Sequence, residues 1–162
     1  MPQTFRAVAY VPPGEAGTPF DLAILLHDER RVRRRLFTLV HGDSVLVDFP
    51  EPITLADRSS LRLEDGRLVE IIAGEENLYE VRRRDQLHLM QLSWHLGNRH
   101  LKTQIERDPA GSYRILILRD HVIRDMLIGL GATVVEISEP FHPEEGAYSH
   151  GHGEPMHALL NR

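Results

Sequence analysis

The chain has 162 residues, 41% hydrophobic and 27% charged, with Lys+Arg 19 against Asp+Glu 24 and a net charge of −5. These figures suit one ordinary domain or two small ones with buried cores; they exclude a large multidomain machine and a disordered chain, and the acidic balance argues against a nucleic-acid partner. No apolar run approaches the roughly 18 residues of a membrane helix, and the first fifteen residues, with Pro12 and Pro13 among them, lack the apolar stretch of a secretory signal, so no membrane partner and a cytoplasmic location are expected.

From Thr4 to Ala73 the pattern is short, alternating and interrupted by turn residues, which predicts an all-β half. The expected strands are Phe5 to Val11, Leu22 to Leu26, Arg35 to Val40, Ser44 to Phe49, Leu61 to Leu63 and Arg67 to Ala73. His41-Gly42-Asp43 and Glu64-Asp65-Gly66 place glycine and aspartate between β-type runs and should be hairpin turns. Pro50 and Pro52 remove ladder donors and should end the strand before them. Gly74-Glu75-Glu76-Asn77 is polar and marks a junction between a β-rich domain over 1–75 and a second domain over 76–140.

The second half has a different rhythm. A strand over Leu78 to Arg83 precedes a helix capped by Asp85 that runs to about Leu96, with Gly97 and Asn98 as its stop. Leu87, Met90 and Trp94 fall at helical spacing, as do Leu89, Leu92 and Leu96, so this helix should be buried on two sides. Strands over Leu101 to Glu106 and Tyr113 to Leu118 follow, joined by Asp108-Pro109-Ala110-Gly111. Asp120 then caps a helix whose apolar face is Ile123, Met126, Leu127 and Leu130, with Gly131 closing it and Thr133 to Ile137 as a last strand. The order βαββαβ is that of a ferredoxin-like domain, so the fold class is α+β. From Phe141 to Arg162 little periodicity remains, and a mobile, acidic, histidine-containing tail is expected.

With no cysteine, any metal must be held by histidine, carboxylate or backbone oxygen, and the chain has ten histidines. His150-Gly151-His152 sets two imidazoles either side of a glycine, where both rings can converge on one ion; such a tail can equally be a solvated end that binds nothing. His100 follows Gly97-Asn98-Arg99 at an exposed helix end, a position open to a ligand or to an ordinary loop histidine. His121 opens the second helix, where the positive dipole end disfavours protonation; that suits a ligand and a buried structural histidine alike. His88 and His95 share one face of the first helix and read as structural. There is no HExxH, serine elbow, phosphate loop or thiol, so no catalytic residue is expected and the chain does not read as an enzyme. Arg30 to Arg35 carries five arginines in six positions, a solvated face or a docking patch for an acidic protein; a base-stacking sheet would need more aromatics than Tyr113.

The ordered strings His95-Leu96-Gly97-Asn98-Arg99-His100, Asp120-His121-Val122 with Asp125-Met126-Leu127 and Gly129-Leu130-Gly131, and Glu145-Gly146-Ala147-Tyr148 closely resemble UreE-type urease accessory proteins. His27-Asp28-Glu29-Arg30 and the Asp65-Gly66 hairpin extend the likeness into the first half. The resemblance implies a nickel metallochaperone, with a partner-facing β domain and a metal-binding, dimerising ferredoxin-like domain. It implies a homodimer in which His100 and its symmetry mate hold one Ni(II), supplemented by His150 and His152, with His121 and His157 as further candidates. Zn(II) or Cu(II) should bind the same ligands. The implied partners are the urease-accessory GTPase and the urease apoprotein complex. Where some members carry a second histidine two positions before the one matching His121, this chain has Arg119. The competing readings are a metal sensor or store using the same histidines, and a protein-interaction adaptor in which the histidines are incidental.

Overall fold

The computed structural model describes residues 1–147. Its first half is a six-stranded sheet of β1 (Thr4–Val11), β2 (Asp21–Leu25), β3 (Arg31–Thr38), β4 (Ser44–Thr54), β5 (Ser60–Leu63) and β6 (Leu68–Ala73), in the order β2-β6-β5-β1-β4-β3. Alternation drives it: along β6 every second residue, Val69, Ile71 and Ala73, is buried. These meet Ala23, Leu25, Val45, Val47, Leu61 and Leu63 in one core. Both expected hairpins form, β3 to β4 through Gly42 and β5 to β6 through Gly66, each glycine at positive φ (99° and 85°) where a β-carbon would be strained.

Three boundaries differ from the sequence reading. A one-turn helix α1 (His27–Arg30) precedes β3, held by the Leu26 N–H donating to the Glu29 carboxylate at 2.8 Å. β3 then starts at Arg31, four residues before the expected Arg35. β4 does not stop at Phe49: its pairing with β3 jumps from Arg34↔Asp48 to Val32↔Ile53, so Pro50 and Pro52 sit in a bulge where no ladder donor is demanded of them.

The second half contains β7 (Glu75–Arg82), α2 (Gln86–Asn98), β8 (Thr103–Arg107), β9 (Tyr113–Leu118), α3 (His121–Gly129) and β10 (Thr133–Pro140). Its sheet order, β10-β7-β9-β8 with every neighbour antiparallel, is the ferredoxin-like arrangement expected. The polar run Glu75 to Asn77 lies inside β7, because β10 continues alongside it to the pair Glu75↔Pro140. Both helices rest on one face of the sheet around Leu92, Leu96, Ile115, Ile117 and Leu127.

The other face carries Leu78 and Leu116, and these are covered by Phe141, which is fully buried. The mobile tail expected from Phe141 is therefore corrected for its root. The His142 N–H donates to the Gln104 side chain (2.8 Å) and the Glu144 N–H to the Thr103 carbonyl (2.8 Å). Burying the Phe141 ring supplies the free energy for this ordering, a drive invisible to periodicity because it depends on two strands far away in sequence. Among the described residues, no helix is long and apolar enough to cross a membrane.

Candidate metal-binding residues and family

The described histidines divide by what occupies their ring nitrogens. His88 is buried: its Nδ1 accepts from the Arg84 N–H (3.0 Å), which leaves Nε2–H to donate to the Leu130 carbonyl (2.8 Å). His41 bonds the Asp21 carboxylate at 2.8 Å. His27 meets Glu76 through Nδ1 at 2.7 Å and the Lys102 ammonium through Nε2 at 3.2 Å, so its lone pair already faces a cation. His142 presents Nδ1 to the Arg30 guanidinium at 3.0 Å, again with its lone pair engaged. Burial, reinforced by the Arg30 charge, holds the His142 pKa below the ordinary imidazole value. A metal ligand needs a free imidazole lone pair: those of His27, His88 and His142 are engaged within the chain, whereas the exposed His41 ring is bonded through Nδ1 alone among the described residues.

His95, His100 and His121 make no ring hydrogen bond among the described residues. His95 is half-buried with its ring edge-on to Trp94 (centroids 5.1 Å apart). The sequence reading made it structural together with His88, and only His88 has the packed, doubly bonded surroundings of that role. His121 is exposed at the first position of α3, beside the Asp120 cap, whose carboxylate accepts from the Val122 and Ile123 N–H groups at 2.9 and 3.0 Å. Arg119 is structural: its guanidinium donates to the Leu78 and Ile137 carbonyls and stitches β7 to β10.

His100 is exposed and holds an unusual conformation. α2 does not stop at Gly97-Asn98; it continues through Asn98, with Arg99 as its C-cap. The His100 N–H then donates to the Gly97 carbonyl (3.0 Å) and the Leu101 N–H to the Leu96 carbonyl (3.3 Å). This is a Schellman closure, in which Leu101 folds back onto the Leu96 core and the residue between must be left-handed. His100 is that residue, at φ 55°. Glycine is the usual occupant; a histidine there is lifted clear of the helix end with its imidazole in solvent.

The solvent side of α2 is a second departure. Leu89, Leu92 and Leu96 face the core, but Leu87, Met90 and Trp94 are 61%, 58% and 64% exposed. The helix buries one side, and its outer apolar stripe runs toward the end that carries His100. Among the described residues, no three histidine or carboxylate side chains converge to hold an ion. His150, His152 and His157 lie outside the described residues.

Between the two halves opens a cleft of about 820 Å³, walled by α1, the β4 end, Lys102 and residues 142–146. Its contacts join residues far apart in the chain, which no local sequence signal marks. Arg30 is 4% exposed and donates to the Phe141 carbonyl, His27 packs edge-on against Phe141, and the Thr54 hydroxyl donates to Glu145 at 2.7 Å.

A β-sheet half joined to a ferredoxin-like half that presents imidazoles at its surface defines the class of protein, and sequence comparison defines the family. The family model for the UreE urease accessory protein, C-terminal domain, matches residues 76–159. The urease accessory protein UreE of Mesorhizobium japonicum is 58% identical over 149 residues, 91% of this chain and 74% of that protein. The proteins of the same name from Rhizobium rhizogenes and Agrobacterium fabrum are 52% and 48% identical over 153 residues, 94% of this chain and 88% and 91% of theirs. The chain belongs to the UreE urease accessory protein family. Its relatives are named as accessory proteins rather than as enzymes.

Proposed function

We propose that the chain is a cytoplasmic, non-enzymatic nickel metallochaperone, a homodimer that holds Ni(II) between the two His100 imidazoles and delivers it for urease active-site assembly. The observation that carries this reading is the pairing of features on α2: an exposed apolar stripe leading to an exposed, left-handed His100 whose ring nitrogens make no hydrogen bond among the described residues. Apolar side chains at this exposure are stabilised by a partner surface. A two-fold axis along the stripe is self-complementary and turns one histidine per chain into two convergent ligands. Family membership supports the same assignment and its partners, the urease-accessory GTPase and the urease apoprotein complex.

Delivery requires release as well as capture. Two imidazoles with the remaining coordination positions open to water or to His150 and His152 exchange ligands more readily than a closed four-ligand cage. His121 and His157 are further stations for incoming ions. Nothing in two imidazoles selects nickel, so Zn(II) and Cu(II) occupy the same pair and selectivity comes from the partner that accepts the ion.

The test is urease activation in cells whose own copy is replaced by His100→Ala. At limiting nickel, urease activity should fall well below that with the wild-type chain and recover as nickel is raised. Normal activation at limiting nickel would contradict delivery through His100 and favour a sensing or storage role.

A further inference from the structure

We propose that the outer edge of β3 is a docking strand for an acidic, extended segment of a partner protein. Arg58, Arg67, Arg82, Arg114, Arg119 and Arg124 pair with carboxylates of this chain, and the arginines outside β3 that form no ion pair among the described residues are spread over several elements rather than gathered on one strand. β3 differs. Arg31, Arg33, Arg34 and Arg35 are all exposed and form no ion pair among the described residues, although the chain carries more acids than bases. Asp48 stands opposite Arg34 in the ladder without pairing with it. Among the described residues, Arg31 and Arg33 donate to neutral oxygens, the Thr54 hydroxyl and the Pro50 carbonyl, each at 3.4 Å. Arg30, the fifth arginine of the run, is turned inward and belongs to the cleft.

The backbone is open on the same side. β3 ends the six-stranded sheet, is eight residues long, and among the described residues pairs with β4 alone. Two residues past the end of β3 the Val40 N–H donates to the Leu22 carbonyl of β2 at 2.9 Å, so the curled sheet brings its two edge strands together beyond Thr38 and the edge left for a partner is that of β3 itself. β3 is held firmly by Val32 and Phe37, both buried in the core, so its free edge is a fixed template. Leu36, 58% exposed beside Arg34, offers one apolar contact within the basic row.

Charge on an edge strand ordinarily guards against self-pairing, and four guanidiniums do repel a second copy of β3. The same row attracts a strand of opposite sign, so it rejects self and selects an acidic segment. Backbone hydrogen bonds would supply affinity and the arginines would supply specificity and on-rate. This deepens the reading of the β half as the partner-facing part of a metallochaperone, without using the metal ligands.

The experiment uses the full chain, nickel-free, with a fluorescein-labelled Val-Glu-Leu-Asp-Val-Glu peptide, a peptide of equal charge in which the leucine and the second valine are changed to proline, and an oligouridylate. The acidic peptide should bind and should protect the amides of 31–38 from hydrogen exchange. Binding should weaken roughly tenfold or more in Arg33→Gln/Arg34→Gln/Arg35→Gln, and by a similar factor for the proline peptide against wild type. Nickel binding by the triple variant should be unchanged, which separates failure of this inference from failure of the chaperone reading. No binding, equal binding of the proline peptide, protection outside β3, or preference for the oligouridylate would each overturn it. The protection pattern is read on wild type, so the test survives a triple variant that folds poorly.

Discussion

Replacing His100 by glycine should raise the stability of the metal-free protein while removing the proposed nickel site. At φ 55°, inside a Schellman closure that fixes the conformation, the residue after the α2 C-cap carries a β-carbon where glycine is favoured. The left-handed region costs an L-residue roughly 1–2 kcal/mol. Glycine removes that cost but gains about 0.4–1 kcal/mol of unfolded-state freedom. The net expectation is a gain of about 0.5–1 kcal/mol, or ~1–4 °C in melting temperature for a chain of this size. His100→Ala keeps the β-carbon and should melt close to wild type. Thermal unfolding of the three proteins with chelator, at one protein concentration so that association does not differ, reads the effect directly. Glycine and alanine variants that melt together, or a glycine variant below wild type, would refute the strain argument. A glycine variant that still binds nickel like wild type would refute the role of the imidazole.

Trp94→Asp should break the proposed dimer, because the indole is exposed in the single chain and its burial is worth about 1.5–3 kcal/mol; sedimentation should find association weakened by at least ~10-fold, and an unchanged dimer would remove α2 from the interface. Phe141→Ala should cost about 3–5 kcal/mol in chemical denaturation, as expected for a fully buried ring, whereas a cost below ~1 kcal/mol would mean that the tail root is not packed against β7 and β9. His142 has a folded pKa below its unfolded value near 6.5, so its contribution to stability is present above that pH and is lost as pH falls through and below it. Denaturant midpoints between pH 7.5 and 5.5 should fall more steeply for wild type than for His142→Gln, and parallel slopes would contradict the assignment.

Much of this layout could be read locally. The caps Asp85 and Asp120, the turn glycines Gly42 and Gly66, and the apolar periods of α2 and α3 are short-range signals, and each element they mark is present. His100 was legible for the same reason, since its helix-end position needs only its neighbours, although its left-handed backbone was not. What escaped depends on distant chain. β4 runs through two prolines because it bulges there, with residues 49–52 opposite the single β3 residue Arg33. Phe141 is buried by strands whose order had first to be known. The lone pairs of His27 and His142 are occupied by groups 75 and 112 residues away, so counting histidines could not separate structural rings from free ones. The exposed face of α2 read as core because periodicity reports apolarity and is silent on whether the covering surface comes from the same chain.

Nickel titration by calorimetry, with mass measured in the same solution, on wild type and His100→Ala tests the central claim most directly. In wild type the tightest event should be one ion per two chains, lost in His100→Ala while the dimer mass is kept. An unchanged tight event in His100→Ala, or one ion bound per monomer, would contradict it.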